Sequence, residues 1–159
     1  MAFKESKIIL VGKGGSGKDF LRKKFESRGF KYCVSYTSRP KRINEKDGVD
    51  YKFVSEDFLN NNVHKFYEIA DFNGWKYGRT IEDFEKSSLL IMTPSGIKNI
   101  KPEHRKKCLI IFLDVNEDVL RERLMERKDA DDAERRLIAD DLDFINFTDY
   151  DIRITNPDF

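Results

Sequence analysis

Apolar residues gather in short runs at 7–11, 32–36, 89–92, 108–113 and 151–155, with polar or helix-patterned stretches between them. Short apolar runs bounded by turn residues read as buried strands, and their alternation with amphipathic segments predicts a mostly parallel sheet flanked by helices. Helical spacing predicts a helix over 19–28, with Phe20, Leu21 and Phe25 on one side and Gly29 as its stop. A second is expected over 116–127, where Val119, Leu120 and Leu124 share a face, and a third over 132–144. Asn116, followed by Glu117 and Asp118, suits the second as a cap and an acidic first turn.

The stretch 40–80 has a different rhythm. Aromatic and polar residues alternate there, and Asn73-Gly74 is a strong signal for a two-residue hairpin turn, so a small β-rich insertion is expected. Ser55-Glu56-Asp57 caps a short helix through Asn60 inside it. The charged stretch 128–132 reads as an irregular, lid-like connection between two arginine-bearing helices.

Composition narrows the picture. A chain of 159 residues suits one domain with a sizeable core. Thirty basic and 29 acidic residues leave a net charge of +1, which gives no global field for nucleic acid or an anionic membrane, so neither is expected as a partner. The apolar run 108–113 is far shorter than a membrane span, and the first seven residues lack a signal peptide's apolar stretch. A cytoplasmic location follows as an expectation. Cys33 and Cys108 sit beside strand-like segments and read as reduced core residues, while His64 and His104 are too scattered for a metal cluster.

One segment carries chemistry on its own. Ile8-Ile9-Leu10-Val11 runs directly into Gly12-Lys13-Gly14-Gly15-Ser16-Gly17-Lys18-Asp19, and a helical pattern follows. Strand, glycine-rich turn and helix in this order build a phosphate-binding loop: backbone N–H groups point inward, and the helix N-terminus adds its partial positive charge. Lys18 would reach the β- and γ-phosphates of a nucleotide. Asp19 stands where the strict motif has a Ser or Thr whose hydroxyl ligates Mg²⁺, so any metal arrives with the nucleotide and is held by Asp19 through water.

Further along, the hydroxyl-rich strand ending in Thr37-Ser38-Arg39-Pro40-Lys41-Arg42 is followed by Asp47-Gly48-Val49-Asp50-Tyr51-Lys52-Phe53-Val54, by Phe66-Tyr67-Glu68, and by Gly74-Trp75-Lys76-Tyr77-Gly78. Taken in order with the loop, these segments resemble the guanylate kinases, and the resemblance extends from Lys7 to about Asn156. It implies an α/β three-layer P-loop fold with a mostly parallel sheet, made of a core (1–36, 81–122 and 137–159), a β-rich monophosphate-binding insertion (37–80) and an arginine-bearing lid (123–136). It further implies transfer of the γ-phosphate of ATP to GMP or dGMP, with Mg²⁺, by a monomer or homodimer. Under it, Gly12, Lys13, Gly14, Gly15, Ser16, Gly17, Lys18, Asp19 and Asn156 hold ATP. Arg39, Arg42, Tyr51 and Tyr77 grip the acceptor phosphate. Ser35, Glu68 and Thr93 face the base, and Arg123, Arg127 and Arg136 join Lys18 and Arg39 around the transferring phosphoryl group. The chemistry suits such a set, because planar guanidiniums grip phosphate oxygens in two-point contacts, and a carboxylate accepts from neighbouring guanine N–H groups.

The pattern also departs from that family. Ile91 and Thr93 stand at two positions where the family has acidic residues, Arg79 replaces a Ser or Thr that follows the Tyr-Gly turn, and Pro157 follows Asn156. These changes leave open a kinase for another (deoxy)nucleoside monophosphate. A non-catalytic binding module is a further alternative.

Overall fold

Four of the five apolar runs assemble into one parallel sheet in the computed structural model, which describes residues 6–127 and 133–159. β1 (Lys7–Gly12) lies inside it, between β6 (Leu89–Ile91) and β7 (Cys108–Leu113), and β8 (Ile152–Ile154) follows β7 at the edge. Alternate residues of β1 face opposite layers, as a strand's period of two requires. Ile9 and Val11 pack with Leu90, Met92, Ile110 and Phe112 against Phe84 and Ile97. Leu10 packs with Leu89, Ile111 and Leu113 against Leu21 and Phe25 of α1 (Lys18–Ser27) and against Phe159. Phe112 meets Phe144, Phe147 and Tyr150 at ring separations of 5.3–5.4 Å, which fixes the end of α7 (Ala133–Phe144) to the sheet.

The run 32–36 departs from its expected role as a strand of this sheet. Tyr32 makes a single bridge to Leu89, and the chain then crosses to a second sheet as β2 (Tyr36–Thr37). Burial explains the change: Cys33, Ser35 and Thr37 are buried while Val34 and Tyr36 are half-buried, an alternation proper to a strand with only one covered face.

The second sheet has the order β3-β2-β5-β4, with β3 at Lys52–Phe53, β4 at Phe66–Phe72 and β5 at Trp75–Thr80. Asn73 and Gly74 join β4 to β5 with φ of 53° and 84°, the pair of positive angles that an Asn-Gly hairpin supplies. The helix foreseen after Ser55 is α2 (Glu56–Asn61), and the Ser55 hydroxyl accepts from the Phe58 N–H at 3.0 Å. Thr80 caps α3 (Ile81–Lys86), and Thr93 caps the short α4 (Pro94–Ile97). α5 (Pro102–Arg105) precedes β7, and α6 (Glu117–Met125) opens on Asn116, whose side chain accepts from the Asp118 N–H at 2.8 Å. Residues 128–132, which sequence reads as the lid-like connection and the start of the third helix, lie outside the described residues.

Cys33 and Cys108 are free and buried; burial pushes both thiols up, that of Cys108 to about 11, so they remain neutral core groups. No helix among the described residues is long and apolar enough to cross a membrane. Ile110 has no exposed surface and sits at the centre of the larger cluster. Replacing it with Ala should remove about 2–5 kcal/mol of stability, seen as a lower urea midpoint with an unchanged slope.

Candidate active site

The C-terminal end of β1 opens into a turn whose geometry is set by its glycines. Gly15 and Gly17 take φ of 82° and 99°, values that a side chain disfavours, and Lys18 begins α1 immediately afterwards. The helix therefore directs its N-terminal N–H groups back into the turn, as an anion site requires. Ser16 is buried, and its hydroxyl has no hydrogen-bond partner among the described residues.

The chain supplies internal partners for the loop's polar groups. The Gly14 N–H donates to a carboxylate oxygen of buried Asp140 on α7 at 2.8 Å. Lys13 pairs with neighbouring Asp141 at 2.8 Å, and the Lys18 ammonium donates to the carbonyls of Gly12 and Lys13. Desolvation, assisted by the nearby positive charge of Arg136, lowers the Lys18 pKa to about 7.

A cavity of about 480 Å³ lies over this turn, the size of a nucleotide-binding cleft. The loop forms its floor, and Arg42, Tyr51, Arg123, Arg127 and Arg136 contribute to its walls. Arg123 is held by the Gly15 carbonyl at 2.8 Å and the Pro157 carbonyl at 3.1 Å. Arg136 lies 3.5 Å from the Asp140 carboxylate and over the Phe72 ring. So many cations around one hollow repel one another, and a polyanion is the ligand that offsets them.

A narrower inner cavity continues from Lys18 toward the second sheet and is lined by Arg39, Arg42, Tyr51, Tyr77, Arg79 and Thr93, among others. Burial pushes the Tyr51 hydroxyl up to about 12, so it enters the site as a neutral hydrogen-bonding group. Arg39 is buried and bound in a two-point contact to Glu45 at 2.9 and 3.0 Å, and it also donates to the Pro40 carbonyl. It lines the cavity already carrying a counter-ion, a partner the sequence does not indicate.

Sequence reasoning thus meets a mixed outcome at the level of single residues. The loop residues Gly14 to Asp19 and Arg42, Tyr51, Arg123, Arg127 and Arg136 converge on the larger cavity, and Arg39, Tyr77 and Thr93 join Arg42 and Tyr51 on the inner one. Three residues depart from the positions expected of them. Ser35 and Glu68 are buried outside the linings of both cavities. Asn156 is exposed and accepts from the Asp158 N–H at 2.9 Å, so its carboxamide closes a local turn while Pro157, Asp158 and Phe159 line the cavity. Thr93 uses its hydroxyl to accept from the Gly96 N–H at 3.1 Å. Asp19 is at the cavity and pairs with Arg22 at 3.3 Å.

Several participants carry no sequence signal of their role. Glu45 and Asp140 are single acids in charged stretches, and Phe159 is a lone aromatic whose ring comes within 2.9 Å of where a Cβ on Gly17 would sit. Arg22 has helical spacing to Asp19 and Glu26, which is legible, but its reach to Asp50 at 3.3 Å is a tertiary contact. Arg79 is visible in sequence only as an unexpected residue. In the structure its guanidinium forms a buried ion pair with Glu68 and donates to the Ile91 carbonyl at 2.7 Å. Burial pushes the Glu68 carboxyl up, against the opposing pull of Arg79.

Comparison with known proteins accords with this geometry. The profile of the family described as guanylate kinase matches residues 4–159. The chain is similar to a guanylate kinase of Legionella pneumophila (strain Paris), 30% identical over 165 residues that cover 96% of this chain and 78% of the relative. A guanylate kinase of Sus scrofa is 31% identical over 131 residues, 76% of this chain and 66% of the relative, so the chain spans between two thirds and four fifths of these relatives' lengths. Among solved structures, guanylate kinase from Anaplasma phagocytophilum superposes with a TM-score of 0.71 at 25% identity, covering 98% of this chain and 80% of that one.

The loop's glycines provide a stability test. Gly17 and Gly29 have φ of 99° and 94°, but a Cβ on Gly29 meets open space while one on Gly17 meets the Phe159 ring. Gly29→Ala should cost about 1–2 kcal/mol from the backbone alone, and Gly17→Ala should cost more, as read by thermal denaturation.

Proposed function

The chain belongs to the guanylate kinase family, and we propose that its cleft transfers the γ-phosphate of ATP to GMP or dGMP, with the loop at the end of β1 holding the donor and the inner cavity holding the acceptor. The observation that carries this reading is the convergence of Lys18, Arg42, Arg123 and Arg136 on one nucleotide-sized cavity over a glycine-rich turn. The same reading divides the chain into a core (1–36, 81–122 and 137–159), an acceptor-binding insertion (37–80) and a lid (123–136). Free thiols at Cys33 and Cys108 accord with a reducing, cytoplasmic setting.

Phosphoryl transfer asks for positioning and charge stabilisation more than for bond-making side chains. The acceptor is already an oxyanion, so no general base is needed. Lys18 leaves the carbonyls of Gly12 and Lys13 for the donor's β- and γ-phosphates, and the N–H groups of the loop and of α1 take the remaining oxygens. Arg42 lines both cavities and so stands between donor and acceptor. Arg39, with the hydroxyls of Tyr51 and Tyr77, grips the acceptor phosphate, and Glu45 holds the Arg39 fork in place. Arg123, Arg127 and Arg136 close over the transferring group and exclude water.

The donor set fits a nucleotide-borne Mg²⁺. Asp19 offers a hard carboxylate at the cavity, exposed enough to reach the ion through water and steadied by Arg22. Bound there, the ion supplies positive charge to the donor phosphates.

Turnover of ATP with GMP and dGMP in a coupled ADP-release assay tests the proposal, and Lys18→Ala should lower kcat/KM by at least about a thousandfold. Turnover confined to another base would change the substrate, and no turnover with any monophosphate would favour a binding module. Lys18 also predicts a pH signature. With its pKa near 7, a large fraction of Lys18 is neutral at pH 8, and bound phosphates stabilise the ammonium. ATP binding at pH 8 should therefore take up a proton that is not taken up at pH 6. Calorimetry in buffers of different ionisation enthalpy reads the difference, and Lys18→Met should abolish it.

A further inference from the structure

A buried charge pair inside the insertion reaches the core through the Ile91 carbonyl. Glu68 on β4 and Arg79 on β5 are cross-strand partners, 6% and 4% exposed. Arg79 binds one Glu68 oxygen and the Ile91 carbonyl of β6, so its guanidinium is fixed from two sides. The other Glu68 oxygen and the Arg79 Nε have no hydrogen-bond partner among the described residues, although both are buried. Native proteins rarely leave such groups unsatisfied, and an unmet donor on a side chain that lines a cavity marks a place where a ligand completes the bonding. Arg79 lines the inner cavity with Ile91, Met92 and Thr93, whereas Glu68 does not. A base entering that cavity meets the guanidinium first.

We propose that Arg79 selects the acceptor base by donating to the O6 and N7 edge of a 6-oxopurine, which makes the chain a kinase for 6-oxopurine nucleoside monophosphates, IMP included, rather than for guanine alone. This rests on the function proposed above and names its substrate class. Guanine and hypoxanthine both present acceptors at O6 and N7, a geometry that a guanidinium matches with two N–H groups. Adenine presents an amino donor at position 6, so its N–H would face another N–H. The 2-amino group is the only feature that separates guanine from hypoxanthine, and a carboxylate is the natural acceptor for it. Here one Glu68 oxygen is held by Arg79 and the carboxylate does not line the inner cavity, while Ile91 and Thr93 offer no second carboxylate. Loss of the 2-amino group therefore removes little, while loss of the 6-oxo group leaves buried donors unpaired, the costlier of the two changes.

The test measures kcat/KM for GMP, IMP, AMP and the monophosphate of 2-aminopurine riboside with the full chain. IMP is expected within about thirtyfold of GMP, with AMP and the 2-aminopurine compound each at least about a hundredfold below GMP. Should the 2-aminopurine compound equal or outperform IMP, the 2-amino group is what the site reads and the inference falls. Arg79→Gln then tests the residue itself, since a carboxamide presents its oxygen to a 6-amino group as readily as its N–H to a 6-oxo group. The GMP to AMP ratio should drop at least tenfold in this variant, mostly through KM, and an unchanged ratio overturns the assignment. If the single variant does not fold, Glu68→Gln combined with Arg79→Gln leaves no unpaired buried charge, and the same ratio is read from it. Failure of the wild-type chain to phosphorylate any of the four would instead refute the proposed kinase activity.

Discussion

Like charge gathered at one end of a parallel sheet is the constraint that organises this molecule. Lys18, Arg42, Arg123, Arg127 and Arg136 share the lining of one cavity, and Arg39 and Arg79 continue the cationic wall inward. Unscreened, such a set would repel itself open. The chain answers with internal partners of graded strength. Carbonyl oxygens hold Lys18 and Arg123, Asp140 lies beside Arg136, a two-point carboxylate fork holds Arg39, and one Glu68 oxygen with the Ile91 carbonyl holds Arg79. Carbonyl contacts exchange easily for phosphate oxygens, whereas a buried guanidinium–carboxylate pair is costly to separate. The grading therefore sorts the cations into those suited to release toward a moving phosphoryl group and those fixed as walls.

The same partners connect parts of the chain that are distant in sequence. Asp140 and Asp141 fasten α7 to the loop after β1, and Arg135 of α7 reaches the hairpin tip at Asn73. Arg22 binds Asp19, next to the loop lysine, and also Asp50, beside Tyr51. The donor-side helix and the acceptor-side insertion are thus joined through one arginine that is 5% exposed at its side chain. Misplacement of a reacting group by about an ångström is enough to lose much of a positional catalyst's advantage. That sensitivity gives these ties a purpose beyond stability.

How much of this was legible in the sequence follows from the range of each interaction. Period-two and period-3.6 patterns are local, so β1, β7, α1 and α6 appear within one or two residues of expectation, as does the Asn73-Gly74 turn. The run 32–36 was misjudged because its apolar and hydroxyl residues alternate, and alternation tells of one covered face but not of which sheet covers it. At the site, the loop and the arginines were legible as residue types suited to phosphate. Their counter-ions were not. Glu45 is near Arg39 in sequence, yet nothing in the spacing says that the fork closes on it, and Asp140 lies 126 residues from the Gly14 N–H it accepts from.

The Glu68–Arg79 pair shows why a departure from a family pattern is best read as a coupled change. An arginine placed beside a buried carboxylate cannot stay indifferent to it, because two opposite charges at the same buried register position of a hairpin will pair. Pairing makes the carboxylate a support for the arginine. It also links β5 to β6 through the Ile91 carbonyl, so the insertion gains a polar anchor on the core. Buried ion pairs contribute little net stability and persist where their geometry specifies something. Here the geometry fixes a planar donor at the wall of the inner cavity, which under the proposed selectivity favours a base that presents oxygen where adenine presents an amine.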